Sequence, residues 1–111
     1  MIDCVFCGIA SGAVEATIVA EADDWVAFRD LEPQAPVHVL VIPRAHISSL
    51  STLSEGPLGT QLLRACAAVA DAEGLDGGYR VVTNVGADGG QAVPHLHFHV
   101  LGRRRMGWPP G

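Results

Sequence analysis

The chain contains no lysine. Its seven basic residues are all arginine, set against twelve acids, and the formal charge is -5. A protein that grips nucleic-acid phosphates needs a basic face, so this balance argues against direct nucleic-acid binding. The only basic run, Arg103-Arg104-Arg105, reads as a solvated strand end. The missing lysine, beside abundant alanine, reads as compositional bias. Aromatics are scarce, at three Phe, two Trp and one Tyr, so the core is small and mostly aliphatic. Charged residues make up only 17% and apolar ones 49%, which excludes an unstructured chain.

No apolar run is long enough to span a bilayer, so no membrane partner is expected. The opening Met1-Ile2-Asp3-Cys4 lacks the basic and apolar stretches of a secretory leader, and the expected location is the cytoplasm. Cysteines are few and odd in number: Cys4, Cys7 and Cys66. That argues against a disulfide framework. Cys66 sits in an apolar helical stretch and is expected as a small core residue. A length of 111 residues predicts one domain, 1–111, with room for only a shallow pocket.

Residues 17–21 and 25–29 read as strands around a turn at Ala22-Asp23-Asp24. Pro33 and Pro36 make residues 31–36 a loop. Residues 37–42 form an apolar run interrupted only by His38, a central strand stopped by Pro43. A short helix is expected over 45–53. The main helix is expected over 60–73, with Leu63, Cys66, Ala67 and Ala70 on its apolar side and Gly74 as its stop. Residues 79–84 read as a further strand, and 85–91 as a glycine-rich loop. Short loops between strands, with one long helix, predict an α+β domain with an antiparallel sheet.

Three of the five histidines alternate in Pro94-His95-Leu96-His97-Phe98-His99-Val100-Leu101. In a strand the side-chain period of two puts His95, His97 and His99 on one face and Leu96, Phe98 and Val100 on the other. Imidazole serves as nucleophile, acid, base or metal ligand near neutral pH, so such a row predicts chemistry rather than a polar outer face. A lone His38 in an apolar strand reads as a core residue; paired beside the row, it joins the cluster. The loop Gly86-Ala87-Asp88-Gly89-Gly90-Gln91 is an ordinary turn by itself. Directly before the imidazoles it predicts a phosphate site with a nucleophile above it. Cys4-Val5-Phe6-Cys7 is a redox pair, half a zinc site or two unrelated thiols. The zinc reading needs two more ligands, for which His46 and His95 are available.

Taken together, these segments resemble the histidine triad superfamily, specifically its Hint-like branch. The resemblance rests on His95-Leu96-His97-Phe98-His99-Val100-Leu101, Phe28-Arg29-Asp30, the run from Pro33 to Pro43, Ala45-His46-Ile47-Ser48, Gly78-Tyr79-Arg80, Asp88-Gly89-Gly90-Gln91 and Trp108-Pro109-Pro110-Gly111. It implies a five-stranded antiparallel sheet with one main and one short helix, and a homodimer with a ten-stranded sheet. It implies hydrolysis of purine nucleoside monophosphate derivatives, above all phosphoramidates such as aminoacyl-nucleotide adducts. By position, His97 is implied as the nucleophile, His99 as a phosphate contact, and His95 and His38 as the residues that set the cluster's orientation. Asp30 matches the ribose carboxylate. Phe6, Val14, Phe28 and Leu31 match the base pocket. Asn84, Gly90 and Gln91 match the phosphate side, and Trp108 a tail residue that reaches the partner's site.

The resemblance also implies a structural zinc held by Cys4, Cys7, His46 and His95, with no cofactor required for the chemistry. One position departs from the pattern. Ala92 stands where many relatives carry a hydroxyl that can protonate the leaving group. Two other functions fit the same resemblance: dinucleoside polyphosphate hydrolysis or nucleotidyl transfer, and nucleotide-binding adaptor service.

Overall fold

The computed structural model describes residues 4–111. Met1 to Asp3, on which the leader argument partly rests, lie outside the described residues. In chain order the elements are helix α1 (Val5–Ser11), strands β1 (Ile18–Glu21), β2 (Trp25–Arg29) and β3 (Val37–Pro43), helix α2 (Pro57–Ala72), and strands β4 (Tyr79–Val82) and β5 (Phe98–Gly102). The strands form one five-stranded sheet in the order β1-β2-β3-β5-β4, and every neighbouring pair is antiparallel.

The register divides the sheet into two unlike faces. Val39 lies opposite Val100 and Val41 opposite Phe98, with Ala27 beside them on β2. This face is covered by α2, whose Leu62, Ala65, Cys66, Val69 and Ala70 join it in the main core. On the other face Leu40 lies opposite His99 and Phe28, and Ile42 opposite Val26. There α1 lays Phe6 over Phe28, Leu40, Val26 and Ile42, and the smaller cluster covers only part of the sheet. β3 is buried along its whole length, as its near-continuous apolar sequence requires.

Several expectations are corrected. The only helical turn within 45–53 is a 3-10 turn at Leu50–Thr52, because the Ser49 and Thr52 side chains bond the local backbone. The short helix is α1 instead. It starts at Cys4, whose Sγ accepts from the Cys7 N–H, and ends at Gly12, whose φ of 84° lets its N–H return to Ile9. The main helix begins three residues early, with Pro57 in its first turn. Its Cys66 and Ala70 are buried as expected, but Leu63, 57% exposed, and Ala67 are not, and Leu62, Ala65 and Val69 face inward instead. An alanine-rich helix reads as apolar in both registers, so its period does not choose between them. β4 stops at Val82, and Pro43 is the last residue of β3 rather than a stop before it.

The histidine row is the main correction. The regular strand begins at Phe98, so of the three only His99 lies within it. Even so, Leu96, Phe98 and Val100 all enter the main core, and the alternation persists ahead of the strand.

Because Leu62 is fully buried in the α2 core, Leu62→Ala should lower unfolding stability by about 2–5 kcal/mol in urea titration. A loss below about 1 kcal/mol would mean that α2 is not packed on this face.

Candidate active site and metal centre

The uncovered part of the second face holds two groups of side chains that share one residue. His95 and His97 are buried with the core, and His99 is half-buried at the sheet. The His97 Nδ1–H donates to the His95 backbone carbonyl at 2.7 Å. This leaves Nε2 of His97 with a free lone pair. Thr83 Oγ1 donates to the His97 carbonyl at 2.8 Å, so the residue is held at both its ring and its backbone.

A second chain of bonds fixes the other pair. The Gln34 N–H donates to Nδ1 of His38 at 3.0 Å, so the His38 proton is on Nε2. From there it donates to Nδ1 of His99 at 2.8 Å. Neutral His99 therefore carries its own proton on Nε2 and offers a donor. Asp30 Oδ2 lies 3.4 Å from His38 Nε2, while Oδ1 accepts from the Glu32 N–H at 2.8 Å. The rings of His97 and His99 meet at 5.1 Å between centroids, and those of His38 and His99 at the same distance.

Burial sets the charge of this group. It pushes His99 down to about 4, helped by His97 and His38 and partly offset by Asp30. It also lowers His38, against the pull of Asp30. His95 is lowered by burial first, then by His46 and His97, with the Pro43 carbonyl acting the other way. His38, His95 and His99 are accordingly neutral at pH 7, which the hydrogen-bond chain requires.

The metal ligand set expected from the sequence is brought together. Cys4, Cys7, His46 and His95 offer donor atoms that all lie within 4.8 Å of one another. Cys4 Sγ is 3.3 Å from His95 Nδ1, and Cys7 Sγ is 3.2 Å from His46 Nδ1 and 3.6 Å from His95 Nδ1. Zinc–sulfur and zinc–nitrogen bonds of tetrahedral zinc put neighbouring ligands roughly 3.5 Å apart, so the set fits that ion. The His95 tautomer suits it as well. Nε2–H donates to the Pro43 carbonyl at 2.9 Å, which leaves Nδ1 bare toward the thiols. Cys66 is buried on the opposite side of the sheet, its thiol pushed up to about 11, and behaves as core.

The remaining expected residues differ in placement. Phe6 and Phe28 meet edge to face at 5.5 Å and wall the site. Val14 is 40% and Leu31 95% exposed, so neither closes that wall. Gln91 spends its amide on backbone groups: Oε1 accepts from Gly86 N–H in its own loop, and Nε2 donates to the Ser48 and Val93 carbonyls. Gly89 permits the same tight loop, since a Cβ there would collide with the Val85 backbone. Asn84 is half-buried, Gly90 and Ala92 are exposed, and Trp108 is 83% exposed in the tail. Pro43, Gln34 and Thr83 were not singled out as site residues from the sequence. Two of them act through backbone groups, which side-chain chemistry does not reveal.

A family model described as the HIT domain matches residues 11–106. The chain is 49% identical over 111 residues to an uncharacterized HIT-like protein of Synechococcus elongatus, covering 98% of this chain and 97% of that one. It is 42% identical over 113 residues to a 14 kDa zinc-binding protein of Brassica juncea, covering 98% and 100%. A HIT family hydrolase from Legionella pneumophila superposes with a TM-score of 0.95 at 46% identity, covering 98% of this chain and 100% of that one. Among the described residues no helix is long and apolar enough to cross a membrane.

The lowered His99 has a consequence for stability. Unfolded imidazole takes its proton near pH 6.5, whereas folded His99 does so near 4. Between those values the unfolded chain binds the extra proton, so stability rises with pH across the window and levels off above it. Urea midpoints at pH 5 and 7 should differ in that sense, and less so in His99→Gln. Equal differences in the two proteins would contradict the assignment.

Proposed function

The chain belongs to the HIT family, and on that premise we propose that it hydrolyses purine nucleoside monophosphate derivatives, above all phosphoramidates, through a nucleotidyl intermediate on His97. The observation that carries this reading is the 2.7 Å bond from His97 Nδ1–H to the His95 carbonyl, which bares Nε2 for attack. In the first step Nε2 bonds to the α-phosphorus as the bond from phosphorus to the amine breaks. One phosphorus–nitrogen bond replaces another, so the step is nearly an exchange. The amine leaves with a proton. Water then attacks the phosphorus, releases the nucleoside monophosphate and restores His97. His99, whose Nδ1 accepts from His38 and whose Nε2–H is left free, is a hydrogen-bond donor suited to a phosphoryl oxygen.

In this reading Asp30 binds the ribose and the Phe6–Phe28 wall takes the base, with Val14 and Leu31 at its open rim. Asn84 and Gly90 border the phosphate, and Gln91 shapes the loop from behind. Ala92 has no hydroxyl, so the leaving amine takes its proton from elsewhere. The chemistry needs no cofactor, and zinc serves structure. The cytoplasm, which keeps thiols reduced, suits Cys4 and Cys7 as ligands.

The same reading makes the protein a homodimer. β4 is a sheet edge, and Tyr79 and Val81 on it are 44% and 38% exposed. Pairing with the β4 of a second copy would satisfy the free edge and continue the sheet to ten strands. It would also cover Trp108, which is aimed by family likeness at the partner's site.

Two outcomes test this. His97→Ala should lower kcat on a fluorogenic adenosine phosphoramidate by about three orders of magnitude while nucleotide affinity stays within a few fold. Near-normal turnover would overturn the assignment. Sedimentation at micromolar concentration should give twice the 11.6 kDa chain mass; a species of the chain mass alone would rule out the dimer.

A further inference from the structure

We propose that the Cys4, Cys7, His46 and His95 centre controls the nucleophile: its ligands act as positioning residues for His97, so metal occupancy sets the rate of the chemical step. The proposal rests on reading His97 as the nucleophile. A structural metal is ordinarily remote from the chemistry it supports. Here one ligand is two residues from His97, and its own carbonyl is the bond partner that selects the His97 tautomer.

Three routes join the centre to His97. The first is His95 itself. Its buried ring is held through Nε2–H by Pro43, while Nδ1 has the two thiols within 3.3 and 3.6 Å. A thiol is a weak hydrogen-bonding partner, whereas a metal–nitrogen bond fixes both the position and the plane of the ring. The backbone that carries this ring also carries the carbonyl that holds His97.

The second route is Phe6, which lies between Cys4 and Cys7 on α1. Its ring stands edge-on to His97 at 5.1 Å and to His95 at 5.9 Å. α1 has only seven residues, too few to be stable by propensity alone, so its place depends on anchoring. Metal bonds at Cys4 and Cys7 supply an anchor on either side of Phe6.

The third route runs from His46. The neighbouring Ile47 carbonyl accepts from the Leu96 N–H at 2.6 Å, between the two buried histidines. The next carbonyl, of Ser48, accepts from Gln91 Nε2 at 2.7 Å. The segment that presents His46 thus also braces the chain on both sides of His95.

His46 offers the discriminating variant, because its ring meets His95 rather than His97 or Phe6. Zinc-loaded protein, chelator-stripped protein, His46→Ala and His46→Cys are compared well below their unfolding transitions. Zinc content, the nitrogen-15 ring signals of His97 and the single-turnover rate on adenosine phosphoramidate are measured for each. The loaded protein should show bound zinc and a single Nδ1–H tautomer of His97. Stripping, or His46→Ala, should give mixed tautomers and a rate about ten- to hundredfold lower, the scale expected for a misplaced reacting group. His46→Cys rebuilds a closed site of three thiolates and one imidazole, and should restore zinc, tautomer and rate to within about threefold.

A folded, metal-free protein that keeps one tautomer and full rate, losing only thermal stability, would overturn the proposal. So would a parent protein that binds no zinc. If His46→Ala does not fold, the stripped parent carries the comparison. A loaded parent that fails to cleave the phosphoramidate refutes the hydrolase reading instead, and the tautomer signals still decide this one.

Discussion

His95 makes three engagements at one fully buried residue, and the site depends on them together. Its ring donates to the last carbonyl of β3, its bare nitrogen faces two thiols, and its backbone carbonyl orients the next histidine, His97. Each bond fixes what the next requires. The Pro43 carbonyl selects the His95 tautomer, which leaves Nδ1 for a metal. The His95 carbonyl selects the His97 tautomer, which leaves Nε2 bare for the proposed attack on phosphorus. Among the described residues no buried side-chain nitrogen or oxygen lacks a partner. A network this fully satisfied tolerates little rearrangement, because any shift leaves a buried polar group unpaired.

The sheet makes that arrangement affordable by using its faces differently. α2 and the Val39, Val41, Phe98 and Val100 side chains form the main core on one side. The other side carries only the small cluster beneath α1, which leaves His38, His97 and His99 near the surface but largely out of water. Burial lowers His38 and His99, so they stay neutral and can be chained as donor to acceptor. A charged His99 would lose its acceptor and break the chain that runs from Gln34 through His38.

Much of this was legible in the residues themselves. Alternation at Leu96, Phe98 and Val100 placed the histidines on the opposite side from the core, and that holds although the regular strand covers only His99. The apolar run around His38 marked a central strand, whose register brings His38 to His99. What was not legible depends on tertiary context. Seven residues that include a cysteine and a glycine do not read as a helix, and α1 owes its place to Phe6 and to the thiols of Cys7 and its N-cap Cys4. An alanine-rich stretch does not reveal whether Leu62 or Leu63 faces inward. The tautomers hang on the Pro43 and His95 carbonyls and the Gln34 N–H; every residue type offers the carbonyl and every type but proline the N–H, so residue identity does not mark them.

The account centres on Nε2 of His97 as the atom that takes the nucleotide. Rapid quenching of the reaction under alkaline conditions, followed by peptide mass mapping, tests it directly. A nucleoside monophosphate group should be found on His97, forming and decaying fast enough to account for steady-state turnover. Turnover with no covalent adduct, or an adduct on His99 or any other residue, would contradict it.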